Sequence, residues 1–133
     1  MKKYLLRAPA ILLTVFIFMI SSLPLDRIPQ GGIFTFDKLL HIVEYTVYTF
    51  SIAVALRTFE SEKIEKYMLL IACLIAILYG ASDEFHQIFV NGRSASILDW
   101  FADIIGALIG TFLYTRIRDY KWLNTWLGYD QAD

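Results

Sequence analysis

The sequence predicts an all-α integral membrane protein: a bundle of about four transmembrane helices with both termini cytoplasmic and a short interfacial helix at the C-terminus. Three observations predict it. The 133 residues are 57% apolar and 16% aromatic, and the mean hydropathy of +0.53 lies outside the norm for soluble domains. The apolar residues gather into four runs, each near the roughly 20 residues needed to cross a hydrocarbon layer about 30 Å thick at about 1.5 Å per residue. Lys and Arg then concentrate beside alternate connections, as expected when cytoplasmic loops carry the positive charge.

The first run covers residues 8–25 and follows Lys2, Lys3 and Arg7. Its basic start and the run 10–20 before Ser21-Ser22 also fit a secretory signal peptide, but no A-x-A cleavage pattern follows, so a retained span is expected. Pro24, Pro29, Gly31 and Gly32 mark the next connection as a turn-rich loop. The second run, 39–56, leads into a charged connection carrying Arg57, Lys63 and Lys66. The third, 67–90, is closed by an Asn91-Gly92 turn, and the fourth, 97–115, is followed by Arg116, Arg118 and Lys121. Beyond it, Trp122, Leu123, Trp126 and Leu127 recur at helical spacing and predict a short amphipathic helix over 119–127 on the cytoplasmic leaflet. No internal repeat or domain boundary is visible, so residues 1–133 are expected to form one transmembrane domain.

Composition also excludes several classes. The single cysteine, Cys73, rules out an intramolecular disulfide or a cysteine-based metal framework. A formal net charge of -1 gives no electrostatic footprint for nucleic acid. The expected partner is the lipid bilayer.

Charged residues within the runs are confined to one layer. Asp37, Lys38, His41 and Glu44 open the second helix, Asp83, Glu84, His86 and Gln87 close the third, and Asp99 and Asp103 open the fourth. Arg93 sits in the loop between the last two. On the expected topology all of these ends are extracytoplasmic. At about 100° per residue, Asp37, His41, Glu44 and Tyr45 share a stripe, and Asp99, Asp103, Gly106 and Gly110 share another. Both stripes should face the bundle. On the third helix Tyr79, Gly80, Asp83, His86 and Gln87 fall on one side, and Glu84 is expected to turn away. A charge at membrane depth costs roughly 2.5 to 3.5 kcal/mol or more, so several on one face imply a polar cavity. Gly106 and Gly110 form a small-xxx-small face for close helix approach.

Carboxylates with histidines can bind a divalent ion, position a water or exchange protons, and the spacing here selects none of these, so the cofactor stays open. The catalytic candidates are Asp37, His41, Asp83, His86 and Asp103; the substrate-binding candidates are Lys38, Tyr45, Glu84, Gln87, Arg93 and Asp99. Some have a structural alternative of their own, which Asp103, one turn deeper than Asp99, lacks. Asp99 follows Ser96 at capping-box spacing, Lys38 is placed to snorkel, and the whole set can be read as a satisfied hydrogen-bond network.

The run S-D-E-F-H-Q-I-F-V-N-G-R-S-A-S-I-L-D-W-F-A-D-I-I-G-A-L-I-G, ending at Gly110, resembles the VanZ-like family of bacterial membrane proteins, as does D-K-L-L-H-I-V-E-Y from Asp37 to Tyr45. The resemblance implies a multi-pass protein of the bacterial cell membrane, with all of the polar candidates above at the family's characteristic positions. The family takes its name from a member associated with resistance to the glycopeptide teicoplanin, and the resemblance brings no reaction with it. Two function classes therefore stand. One is a site that binds or modifies an anionic lipid-linked or envelope precursor. The other is a non-enzymatic membrane factor that binds lipid or a partner protein. A transporter ranks below both, because no inverted repeat appears and no polar residues line the cytoplasmic half.

Overall fold

The computed structural model describes residues 2–24, 36–59, 61–118, 120 and 125. They form four helices, α1 (Lys2–Ser21), α2 (Phe36–Arg57), α3 (Glu62–Gln87) and α4 (Ile97–Ile117). Each is long and apolar enough to cross a membrane, and the chain is a multi-pass integral membrane protein. The first connection and the expected interfacial helix over 119–127 fall largely outside the described residues.

The helices overrun the apolar stretches. α1 begins at Lys2 and α3 at Glu62, taking in flanking charges that apolar counting leaves out. A helix need not stop where the hydrocarbon does, because Lys and Arg stems lie along it while their heads stay in water. α3 ends at Gln87, short of the expected 90, because the chain turns there. Gly92 supplies the positive φ of 78° that closes the turn.

Consecutive helices alternate in direction, so α2 and α4 run parallel, and they make the most extensive contact in the bundle. Glycine sets that contact. A Cβ on Gly106 would lie 2.5 Å from the Ile42 carbonyl oxygen and 2.9 Å from Tyr45 Cβ, and one on Gly110 would lie 2.5 Å from the Thr46 carbonyl oxygen. The two backbones meet where side chains are missing, as the small-residue stripe predicts. Thr46 Oγ1 crosses the seam to the Gly106 carbonyl at 3.2 Å.

α3 packs with its own small stripe, the buried Ala72, Ala76 and Gly80. Tyr45, Tyr48, Ile52, Ala107 and Tyr114 fill the middle of the bundle with them, and Ile17 reaches in from α1. Outward, Leu12, Val47, Leu78, Leu108 and Phe112 are exposed, the distribution expected of a lipid-facing surface.

Candidate functional site

The parallel register of α2 and α4 brings the two N-terminal turns together. Lys38 Nζ pairs with Asp99 Oδ1, and one turn deeper His41 Nδ1 donates to Asp103 Oδ1 at 2.8 Å. Deeper still come the glycine contacts, so the close approach at Gly106 positions the polar pairs above it.

α3 supplies the opposite wall. Gly80, Asp83, Glu84 and Gln87 are buried on one face, one helical turn apart or less. Gln87 Nε2 donates to Asp83 Oδ2 at 3.1 Å and approaches Glu84 Oε1 at 3.4 Å. A Cβ at Gly80 would stand 2.7 Å from Asp103 Oδ2, so the glycine makes room for that carboxylate against α3.

The start of α4 shows why Glu84 points inward. Ser96 caps the helix by accepting from the Asp99 amide at 3.3 Å. In a capping box the acid three residues on would return the favour to the Ser96 amide. Here Glu84 Oε2 takes that amide at 2.6 Å from across the bundle, and the Asp99 carboxylate is released to pair with Lys38. The box is shared between two helices. Glu84, expected to turn away, is 6% exposed, and the buried face of α3 is rotated toward it and away from His86. Angular position on a single helix could not reveal a partner supplied by the next one.

His86 and Arg93 form a separate group at the end of α1. His86 Nε2 lies 3.1 Å from Ser22 Oγ, and the ring packs on Phe18 with centroids 4.7 Å apart. Arg93 donates to the carbonyls of Leu23 at 3.2 Å and Ile20 at 3.1 Å, closing the C-terminus of α1. Asp37 stands apart, its side chain 57% exposed and 4.0 Å from Lys38. The candidates are thus divided: Lys38, His41, Tyr45, Asp83, Glu84, Gln87, Asp99 and Asp103 converge, His86 and Arg93 serve α1, and Asp37 sits at the rim. Ser22, read from sequence only as punctuation, is the missed member, and its depth beside His86 was the available signal.

Three buried polar atoms of the convergent group have no hydrogen-bond partner among the described residues: Asp83 Oδ1, Asp103 Oδ2 and the Tyr45 hydroxyl. Asp103 is 1% exposed and Tyr45 fully buried. Leaving such groups unpaired costs about 1–3 kcal/mol each, more for a charge. Donor atoms of His41, Glu84 and Asp103 lie within 4.8 Å of one another, as do those of Asp37, His41 and Asp99. The arrangement can hold a cation, orient a water or relay a proton.

A family model described as VanZ/LLP1 matches residues 5–118, which takes in most of α1 and the whole of α2, α3 and α4. No curated protein and no solved structure matches.

Proposed function

We infer that this chain, which belongs to the VanZ/LLP1 family, uses the convergent site of α2, α3 and α4 to bind, and by general acid–base chemistry to modify, the anionic head group of a lipid-linked or envelope component. The site opens at the extracytoplasmic leaflet of the bacterial cell membrane. Support for that orientation comes from charge: Lys3, Arg7, Arg57, Arg116 and Arg118 lie at the opposite end of the bundle, the distribution expected of a cytoplasmic end. Both termini, and the interfacial helix expected after α4, then belong to the inner face.

One observation carries the reading. Buried polar oxygens without partners among the described residues, two on the Asp83 and Asp103 carboxylates and one on the Tyr45 hydroxyl, sit at membrane depth on three helices, a costly arrangement for a structural purpose alone. In this reading His41 and Asp103 exchange protons or orient water, Asp83 is held by Gln87, and Lys38 beside Asp99 supplies positive charge near the opening. His86 and Arg93 fix the end of α1 as one wall, and Asp37 lies at the entrance. An effect on teicoplanin susceptibility follows if the component bound is one the antibiotic also needs.

A second reading has its own support, since Lys38, His41 and Glu84 already have protein partners. It makes the layer a network that orders the helices of a non-enzymatic lipid- or protein-binding factor. Protein in nanodiscs of defined composition separates the two. Modification of an anionic lipid head group, read by mass spectrometry of the nanodisc lipid, should fall at least about tenfold in Asp103→Asn and Asp83→Asn at unchanged thermal stability, and lipid bound but left unmodified by the wild type would favour the network.

A further inference from the structure

We propose that His41, Glu84 and Asp103 form a binding site for one divalent first-row cation of the Zn2+ or Mn2+ type. The inference rests on the convergent cluster being the working site, and it deepens that reading by naming what receives the anion.

The first argument is charge. Asp83, Glu84, Asp99 and Asp103 are all buried and close together, with only Lys38 and His41 among the described residues to oppose them inside the cluster. Arg93, the other candidate cation, is turned to the α1 carbonyls. Buried carboxylates in excess of their partners need a proton or a cation to be tolerated.

The second argument is the open oxygen. Asp103 Oδ2 is unpartnered, almost fully buried, and faces the wall of α3 that carries Glu84 one turn beyond Gly80. Glu84 Oε2 is committed to the Ser96 amide, while Oε1 is held only at 3.4 Å by Gln87. Glu84 thus keeps one oxygen in place and has the other available, and Asp103 brings an oxygen with no hydrogen-bond partner among the described residues. Outer hydrogen bonds of this kind orient metal ligands.

Geometry and donor chemistry agree. The three donor atoms lie within 4.8 Å of one another, and a cation with bonds of about 2.0–2.2 Å needs donors about 3.2–3.6 Å apart, a side-chain adjustment of roughly 1 Å. One imidazole and two carboxylates suit a first-row ion with an open coordination position better than Ca2+, which wants six to eight oxygens. The alternative trio of Asp37, His41 and Asp99 is weaker, because Asp37 is exposed and Asp99 is already neutralised by Lys38. Binding would replace the proton between His41 and Asp103 with the metal, and the open position would accept an oxygen of a phosphate head group.

The test uses the full chain in detergent, stripped with EDTA and titrated with Zn2+ or Mn2+ alone. The expected result is one equivalent per chain, with affinity reduced at least about 100-fold in His41→Gln and Asp103→Asn and unchanged in Glu65→Gln at the opposite end. Because the variants can lose their fold, pulsed EPR of the Mn2+-loaded wild type gives an independent readout. The chain has two histidines, so nitrogen coupling to the ion should survive His86→Gln. Absence of stoichiometric binding by the wild type, of nitrogen coupling, or of any affinity loss in folded His41→Gln and Asp103→Asn would overturn the proposal. Protein that binds anionic lipid but no metal sinks the cation site alone. Protein that binds metal but no anionic lipid sinks the head-group reading and leaves the cation site standing.

Discussion

The two ends of the bundle are both charged, and they handle charge in opposite ways. At the basic end the cations reach outward and close helix ends: Arg7 donates to Thr58 Oγ1 at 2.7 Å and lies over the Phe59 ring, and Arg57 donates to the Arg118 carbonyl at 3.0 Å. At the acidic end Asp83, Glu84, Asp99 and Asp103 are buried, and Asp83 and Asp103 keep oxygens without partners among the described residues. The basic arrangement stabilises helix termini and leaves the charged heads near water, where they cost little. The acidic arrangement gives up stability, since apolar side chains of similar volume would often pack there at no loss. On the proposed reading, that difference makes the acidic end the working part of the molecule. Breaking the basic end should affect folding modestly and function hardly at all, whereas the acidic end should lose function first.

The largest effect should come from the seam that places the acidic end. Gly106→Val forces side-chain atoms where even a Cβ would meet the Ile42 carbonyl at 2.5 Å, so α2 and α4 must separate. A destabilisation of about 3 kcal/mol or more is expected, read as loss of folded protein in a thermal or denaturant titration in detergent. Gly80→Ala is the more discriminating variant. Its methyl group meets the Asp103 side chain, Oδ2 at 2.7 Å and Cβ at 3.2 Å, rather than backbone, so a loss of about 1–2 kcal/mol is expected. Binding of an anionic head group should fall well beyond what that stability loss explains. Normal binding in Gly80→Ala would mean that Asp103 Oδ2 is not part of the site.

How much of this was legible in sequence depends on whether a feature belongs to one helix or to two. The four spans follow from apolar run length, and the Gly106–Gly110 stripe announced a close contact without naming its partner. The confinement of polar residues to one layer was also readable, because position along a helix translates directly into depth. What angular reasoning could not supply was the neighbour. Glu84 turned inward because the Ser96 amide on α4 needs an acceptor, and His86 turned to α1 because Ser22 and Phe18 are there. Asp37 lies on the predicted stripe, but it sits in the first turn of α2, where there is too little helix above it to bury the side chain.

A smaller effect is expected at the opening, where Lys38 and Asp99 pair. Lys38→Met leaves Asp99 largely buried without its cation, and Asp99→Leu does the converse to Lys38. Each single change should destabilise more than the double, with a coupling energy of about 1–3 kcal/mol in a double-mutant cycle. Strict additivity would show that the pair is a surface contact of no structural consequence.

The smallest effect should lie at the basic end, and its smallness is what gives the comparison its force. Arg7→Gln removes the charge and the stacking over Phe59 while leaving an amide able to reach Thr58, whose hydroxyl already donates to the Ala55 carbonyl at 2.7 Å. The change also takes a 3.3 Å donor from the carbonyl of the buried Thr58, a long contact, so about 1 kcal/mol should be lost from thermal stability. Head-group binding measured in nanodiscs should match the wild type. A clear defect there, in protein of normal stability, would mean that the two ends communicate through α2, which meets Asp103 through His41 and ends at Arg57, next to Thr58. The acidic end could then no longer be treated as a self-contained site.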